Sequence, residues 1–452
     1  MPVHVRRLLA ALLLALPTRI AAGAPRDALG PERFRVERTV LPNGLVVLTH
    51  EDHTVPTVAF WQWYRVGSRN EHPGITGISH FFEHMMFNGS AHVPPKMYDQ
   101  ILESNGGDSN AFTDRDETAY DEEIASDRLG VVLRLDADRM AALSLLPAQL
   151  KNEIEVVKEE RRLRVENDIA GLLDEQLYAT AFVASPYHWP VLGWMKDLNR
   201  ITREDMVEYF RIHYAPDNCI LVLVGDFRTA AALDSIRASF GAIPRQPPPG
   251  DPPDAEPEQL GERRAVVHHV AENVSFEVGW KAPAGRSLDA PVLDVLSKVL
   301  TGGESSRLHQ ALVYQGRMAL SVSTGFESRL DPTLFTMSVE MEPGHSAAEG
   351  ERAAFAAIDR LARAGPTARE LEKAKNELAA DFVSALKTNL GVGAQLGFYE
   401  HQFGDWREMF RERDRQRAVS AEDCRRVARA LFVARHRTVV ELAPDAPAQA
   451  AK

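Results

Sequence analysis

The same succession of apolar and polar patterns occurs twice along the chain. In the first part, residues 57–66 alternate as in a half-buried strand, and a helical pattern follows. In the second part, residues 275–280 alternate in the same way, and residues 288–300 form the helical pattern. Each part closes on a further apolar strand, at 220–224 and at 438–442. The repeated order predicts an α+β fold of two domains related by duplication.

A proline-rich run separates the two parts. Residues 244–257 contain seven prolines, which exclude a helix or a central strand and favour a stiff, extended linker. We therefore expect a first domain at 33–242, a linker at 243–260 and a second domain at 261–445.

The first 24 residues have a pattern of their own. Arg6 and Arg7 precede an apolar run at 8–16, and small residues follow at 21–24. This order is typical of a secretory signal peptide, predicted at 1–24, and the run is too short to span a bilayer. In a bacterial cell the protein would cross the inner membrane into the periplasm. An uncleaved anchor is the alternative.

Composition narrows the possible functions. The chain has 452 residues, 44% of them hydrophobic and 26% charged, with a net charge of -12. This is an ordinary globular balance, and no basic block indicates nucleic-acid binding. Cys219 and Cys424 are the two cysteines. Since a chain of this size forms a core without disulfides, we expect two buried free thiols.

The segment His80-Phe81-Phe82-Glu83-His84 carries the candidate chemistry. His80 and His84 share one face of a helix, and Glu83 leans toward the same side. The surrounding residues are apolar enough to be buried, and burying two imidazoles and a carboxylate is costly unless something binds them. A metal ion is the simplest explanation, and the H-x-x-E-H order is the inverzincin signature. A pair of hydrogen-bonded core histidines is the alternative.

A third ligand is available in the amphipathic helix predicted at 151–163. Glu153 and Glu160 lie two turns apart on one face, whereas Glu155 and Glu159 fall on a solvated face. Two imidazoles with one carboxylate form a catalytic zinc set that leaves a position for water. The residues alone do not separate Glu153 from Glu160, and a merely solvated acidic helix is the alternative.

The chain resembles the pitrilysin/insulinase family of inverzincin metallopeptidases, most closely the branch of mitochondrial processing peptidase and its bacterial relatives. Besides H-x-x-E-H, the resemblance rests on four segments: 41–45, 64–71, 110–113 and 185–194. It implies a clamshell half of two homologous domains, each an antiparallel β-sheet packed with helices. A glutamate 76 residues after the second histidine is the family's third ligand, which corresponds to Glu160, and a second glutamate seven residues earlier corresponds to Glu153.

These assignments imply a reaction. One Zn²⁺ per chain, held by His80, His84 and Glu160, would activate water for hydrolysis of a peptide bond. Glu83 would act as general base, and Glu153 would orient a ligand or assist proton transfer. Manganese or cobalt also suits this ligand set. The resemblance further implies that Asn110 and Ala111 lie on an edge strand that pairs with extended substrate.

The second part matches the first without its metal ligands. Aligning Gly89 with Gly302 places Leu293, Leu296 and Ser297 where the first part has His80, Glu83 and His84. The second domain is therefore interpreted as a metal-free copy that serves structure or substrate binding.

One departure from the family concerns substrate binding. Many relatives carry an Arg and a Tyr in the metal-free half, and Val313 and Leu320 occupy those positions here. Tyr314 and Arg317 are nearby but out of register. Relatives of this length work as pairs, so the chain forms either a heterodimer with a homologue that supplies Arg and Tyr, which we favour, or a homodimer.

Three functions fit the sequence. The leading one is an exported zinc endopeptidase acting on peptides or unfolded segments. The second is a peptide-binding or assembly subunit of a heterodimeric peptidase with little activity alone, which the missing Arg/Tyr pair favours. The third is a zinc hydrolase of non-peptide amides, which only the family resemblance opposes.

Overall fold

A computed structural model describes residues 34–246 and 256–445, together with Gly30 and Gly250. We call 34–246 the first half and 256–445 the second half. The predicted signal peptide and part of the predicted linker lie outside the described residues. The strands are β1 Val36–Val40, β2 Val46–Glu51, β3 Thr57–Tyr64, β4 Asp108–Thr113, β5 Thr118–Ala125, β6 Cys219–Gly225, β7 Arg263–Val270, β8 Ser275–Ala282, β9 Ala319–Phe326, β10 Thr333–Met341 and β11 Arg437–Asp445.

Helices account for most of the remaining chain. They are α1 Ile78–Met85, α2 Tyr98–Ser104, α3 Leu129–Ala142, α4 Pro147–Arg161, α5 Ile169–Ala181, α6 Met195–Leu198, α7 Arg203–His213, α8 Thr229–Phe240, α9 Ala290–Thr301, α10 Ala347–Ala364, α11 Ala368–Ala385, α12 Asn389–Phe403, α13 Glu408–Ala418 and α14 Ala421–Leu431. Four of them, α7, α10, α11 and α14, begin with a capping box, in which a Ser or Thr and an acidic residue three positions later satisfy each other's backbone amides.

The two sheets repeat one topology. The first half forms a six-stranded sheet in the order β1-β2-β6-β3-β5-β4, and the second half a five-stranded sheet in the order β7-β11-β8-β10-β9. Without β1 the two orders correspond strand for strand. The prediction of two duplicated α+β halves is confirmed. The structure adds that each sheet contains one parallel pair among its antiparallel ones, β2 with β6 and β7 with β11.

Each half has its own apolar core on one face of its sheet. In the first half, side chains such as Phe60 and Leu221 pack against helices that include α1, α3 and α7. In the second half, side chains such as Val278 and Met337 pack against helices that include α9, α10 and α14. Cys219 and Cys424 are buried in these cores as free thiols, as predicted.

The other face of each sheet is covered by a helix from the opposite half. Helix α12 packs on β3 and β6, where Leu396 meets an apolar cluster that includes Trp61 and Trp63. Helix α5 packs on β7, β8 and β11, where Leu173 and Leu177 contact Leu334, Val440 and Leu442. Neither sheet is therefore fully covered by the half that contains it, and the two halves support each other.

Two glycines make the first of these contacts possible. Gly393 and Gly397 lie one turn apart on α12, against the indole rings of Trp61 and Trp63. A Cβ atom at Gly393 would lie 2.5 Å from Trp61 Cδ1, and one at Gly397 would lie 2.1 Å from Trp63 Nε1. The helix approaches the sheet this closely only because it lacks side chains at these positions.

In the second half, the helix that corresponds to α1 is α9, and it packs in the core of that half. In α9, Leu293 and Leu296 are fully buried in that core, and Ser297 donates a hydrogen bond to the carbonyl of Thr324. These residues give α9 a structural role in the second half. None of the helices in the described ranges is long and apolar enough to cross a membrane.

Replacing Gly397 by alanine should destabilise the protein, because the new methyl group collides with Trp63. Overpacking of this kind costs about 1–3 kcal/mol, which a lower denaturation midpoint measures. Gly130→Ala on α3 is the matched control, since its Cβ atom would meet only Arg134 Nη1, at 3.5 Å. That variant should be neutral or slightly stabilising, and equal midpoints for the two variants would contradict the packing argument.

Candidate metal centre

Helix α1 begins at a turn that buries a carboxylate. Glu71 Oε2 accepts a hydrogen bond from Gly77 N at 2.7 Å, and Glu71 Oε1 accepts one from Ser79 N at 2.8 Å. Burial raises the pKa of Glu71 to about 8, although these hydrogen bonds oppose the shift. Gly77 adopts a φ of +89°, which favours glycine, and its amide meets Glu71 as the helix starts. Glu71 thus fixes the N-terminus of the helix that carries both histidines.

His80, His84 and Glu160 converge between α1 and α4. Their ligand atoms all lie within 4.8 Å of one another, and they are the one such group of potential metal ligands in the described part of the chain. Glu160 Oε2 is 3.1 Å from His84 Nε2 and 3.6 Å from His80 Nε2. Two imidazole nitrogens and one carboxylate oxygen aimed at a common point fit a zinc ion.

Burial and hydrogen bonds shift the pKa values of the three residues in different directions. Burial lowers the pKa of His80 to about 4, so its imidazole is neutral at pH 7 and able to bind a metal. Burial alone would lower the pKa of His84, but hydrogen bonds to Glu153 and Glu160 outweigh it and raise the pKa to about 9. The hydrogen bond with His84 holds the pKa of Glu160 below its ordinary value.

Glu153 lies behind His84 rather than beside the converging atoms. His84 Nδ1 donates to Glu153 Oε1 at 2.9 Å, and Asn88 Nδ2 donates to Glu153 Oε2 at 2.9 Å. A hydrogen bond at Nδ1 leaves His84 Nε2 directed toward Glu160, which is how an outer carboxylate orients a metal-binding histidine. The packing of α1 on α4 thus separates the two glutamates that the sequence alone left equivalent.

Glu83 has partners different from those of Glu153. Its Oε2 atom is buried and has no hydrogen-bond partner among the described residues. Burial raises the pKa of Glu83, while the neighbouring Thr113 and His84 oppose the shift. The result is a carboxyl group beside the converging ligands that is held by no ion pair in the described residues.

A cavity of about 520 Å³ opens next to these groups. It is bordered by Glu83, His84 and Glu153 on one side and by the strand β4 on the other. β4 is the edge strand of the first sheet, as predicted, and both Asn110 and Ala111 border the cavity. The Asn110 side chain is exposed, whereas Ala111 packs against the first core.

The aromatic segment 185–194 forms hydrogen bonds elsewhere and does not border the cavity beside the metal centre. Trp189 Nε1 donates to the carbonyl of Ser68 at 2.6 Å, and His188 Nδ1 donates to the carbonyl of Phe182 at 2.7 Å. The Tyr187 hydroxyl donates to Asp116 Oδ1 at 2.7 Å. The Trp189 contact joins this segment to the residues that precede α1.

Val313 and Leu320, where the family resemblance predicts an Arg and a Tyr, lie near the edge of the second sheet. Val313 belongs to the π-helical segment His309–Tyr314, and Leu320 lies on the edge strand β9, where it is exposed. Tyr314 is exposed as well, and Arg317 has a φ of +47°.

Sequence reasoning overlooked several contacts of the centre. Glu71, Asn88 and Thr113 received no role, and neither did Arg164, whose Nη2 lies 3.0 Å from Glu160 Oε1. Spacing offered a signal for two of them, because Asn88 and Arg164 each follow a candidate residue by four positions, one helical turn.

Two family models match the chain. Residues 46–193 match the one described as insulinase (peptidase family M16), and residues 200–378 match the one described as the peptidase M16 inactive domain. The zinc protease PqqE of Helicobacter pylori is 31% identical over 417 residues, which cover 90% of this chain and 93% of the relative.

Solved structures agree with the fold. The crystal structure of a protease from Helicobacter pylori has a TM-score of 0.88 at 31% identity, over 91% of this chain and 100% of that chain. The first half of the periplasmic protease PqqL from Escherichia coli has a TM-score of 0.73 at 17% identity, over 91% of this chain and 92% of that chain. At this low identity, the similarity to PqqL shows a shared fold and nothing more.

Zinc binding should tighten as the pH rises from 6 to 9. In the metal-free protein the pKa of His84 is about 9, so below that pH zinc must displace a proton from His84. Affinity should therefore rise by up to about tenfold per pH unit and level off above pH 9. Competition with a chelator of known pH dependence measures this. A constant affinity between pH 6 and 9 would contradict the assignment of His84 as a ligand.

Proposed function

The chain belongs to the insulinase family of peptidases, M16, and on this premise we propose that it is a zinc-dependent endopeptidase acting on peptides or unfolded segments. The observation that carries the proposal is the convergence of His80, His84 and Glu160 beside Glu83, which has a buried, unpartnered oxygen. The names of relatives support zinc and proteolysis, since PqqE of Helicobacter pylori is called a zinc protease.

Each residue of the centre has its own role in the proposed hydrolysis. His80, His84 and Glu160 would hold a zinc ion, which would supply the Lewis acidity that polarises a scissile carbonyl and lowers the pKa of water. Glu83, whose pKa is raised by burial, accepts a proton from the attacking water and passes it to the leaving amine. Glu153 holds His84 through Nδ1, which keeps Nε2 directed at the metal.

The position of β4 supports an extended substrate. An edge strand offers unpaired backbone groups, and a peptide that pairs with it adds a strand to the sheet. Because Ala111 and Asn110 border the cavity next to Glu83, a peptide along β4 would bring its backbone to the ligands. We propose these two residues as substrate contacts on that basis.

We further propose that the working enzyme is a dimer outside the inner membrane. The first half of PqqL, a periplasmic protease, has the fold of this whole chain, which supports a second, facing half. The chain has Val313 and Leu320 where relatives carry Arg and Tyr, which favours a homologue that supplies them over a second copy. The signal pattern at 1–24 supports export.

Val313 and Leu320 also favour a second candidate function. In this function the chain is a subunit that binds peptide or assembles a heterodimer and has little activity alone. Assays of the zinc-loaded chain, alone and with a homologue that carries Arg and Tyr, separate the two functions. Hydrolysis by the chain alone supports the endopeptidase, and hydrolysis only in the mixture supports the subunit.

Glu83→Gln should abolish hydrolysis and retain zinc, because the amide accepts no proton but leaves the ligands unchanged. We expect a loss in kcat of at least about 100-fold, measured with a quenched fluorescent peptide, and one zinc per chain by metal analysis.

His84→Ala is the companion variant. It should lose both zinc and activity, because a ligand atom is removed. Glu159→Gln, an exposed change on the same helix as Glu160, should alter neither. Full activity in the Glu83→Gln variant would contradict the assignment of Glu83 as general base.

A further inference from the structure

A salt bridge holds the oxygen of Glu160 that the two histidines do not contact. Glu160 Oε2 faces His80 and His84, whereas Glu160 Oε1 lies 3.0 Å from Arg164 Nη2. We infer that Arg164 is a positioning residue, which presents Glu160 to a metal through one oxygen and so sets the metal affinity of the centre. The inference rests on the proposed metal site.

Most pairs of this kind on a helix surface contribute little. The Arg164 side chain is 70% exposed, and solvent screens an exposed ion pair strongly. Glu160 differs from a surface partner because its side chain is only 18% exposed and its other oxygen is engaged. Fixing the free oxygen therefore restricts the rotation of a carboxylate that must meet two imidazoles.

The backbone of Arg164 departs from regular α-helix. Helix α4 ends at Arg161, and the π-helical segment Arg162–Glu166 follows, closed by a hydrogen bond from Asn167 N to Arg162 O at 2.8 Å. A π-turn is wider than an α-turn and changes the direction of the side chains it carries, and such turns are frequent at functional sites.

Helix α5 holds this segment in place. A Cβ atom at Gly171 would lie 1.9 Å from Arg164 O, so the two backbones touch. Asp168 caps α5 by accepting a hydrogen bond from Gly171 N. Arg161 and Glu175 join α4 to α5 through two hydrogen bonds of 2.7 and 3.0 Å.

The support extends to the second half. Helix α5 packs through Leu173 and Leu177 on the sheet of β7, β8 and β11. The metal-free half thereby fixes α5, α5 fixes the π-helical segment, and that segment directs Arg164 at Glu160. This contact path gives the second half a part in holding the third ligand.

Charge balance supports the same role. Glu83, Glu153 and Glu160 bring three carboxyl groups to the centre, and their negative charge exceeds that of a divalent cation by one. Arg164 lies close enough to influence Glu83 and His80 electrostatically as well as Glu160. Its guanidinium adds a positive charge beside these carboxyl groups.

The test compares zinc affinities of full-length variants, measured by titrating zinc against a chromogenic chelator. Arg164→Met should weaken zinc binding about tenfold, the lower end of the effect of removing a group that supports a metal ligand. Arg164→Lys should recover part of this, because it keeps the charge and loses the planar fork. Arg162→Met is the matched control, since Arg162 lies in the same segment and pairs with Glu159, and it should bind zinc as the wild type does.

Thermal unfolding of the zinc-free proteins separates positioning from folding. Arg164→Met should unfold at the same temperature as Arg162→Met and still bind zinc more weakly. Equal zinc affinities for these two variants, or no recovery in Arg164→Lys, would overturn the inference. If the wild type hydrolyses no peptide but its zinc affinity still depends on Arg164, the proposed function is wrong and the inference about Arg164 stands.

Discussion

The exchange of helices between the two sheets is the contact on which the rest of the structure depends. Each sheet buries one face under its own helices and the other under a helix from the opposite half, α5 on the second sheet and α12 on the first. Apolar burial is non-directional, but these contacts are specific, because Gly393 and Gly397 admit the rings of Trp61 and Trp63 at distances that no side chain would allow. A half without its partner would expose an apolar face. The duplicated halves thus form one cooperative support for the centre.

That support explains how ligands from distant parts of the sequence meet. His80 and His84 need only one helical turn, whose start is fixed by Glu71. Glu160 comes from a second helix, near its C-terminal end, and the ends of helices fray. Here that end is joined to α5 by Arg161 and Glu175, and α5 is buried on the second sheet. The second half retains structural value although Leu293 and Leu296 stand where the first half has His80 and Glu83.

Sequence patterns predicted the local part of this arrangement well. The duplicated order of elements and the shared face of His80 and His84 follow from periods of two and 3.6 residues, whereas the edge strand at Asn110 was implied by the family resemblance. Helical periodicity alone left Glu153 and Glu160 equivalent because both lie on one face. The family resemblance assigned the ligand role to Glu160, and the packing of α1 on α4 gives the two glutamates different partners. The exchange of α5 and α12 was equally hidden, since an amphipathic pattern shows which face is buried and not what covers it. The π-helical segment that carries Arg164 has no periodic signature.

The account's central claim is that His80, His84 and Glu160 bind one zinc ion while Glu83 and Glu153 stay outside its ligand set. A crystal structure of the zinc-loaded protein, with anomalous scattering recorded on both sides of the zinc absorption edge, tests this most directly. The account predicts one anomalous peak, about 2.0–2.2 Å from His80 Nε2, His84 Nε2 and a Glu160 oxygen. A peak bound by Glu153 or Glu83, or no peak between α1 and α4, would contradict it.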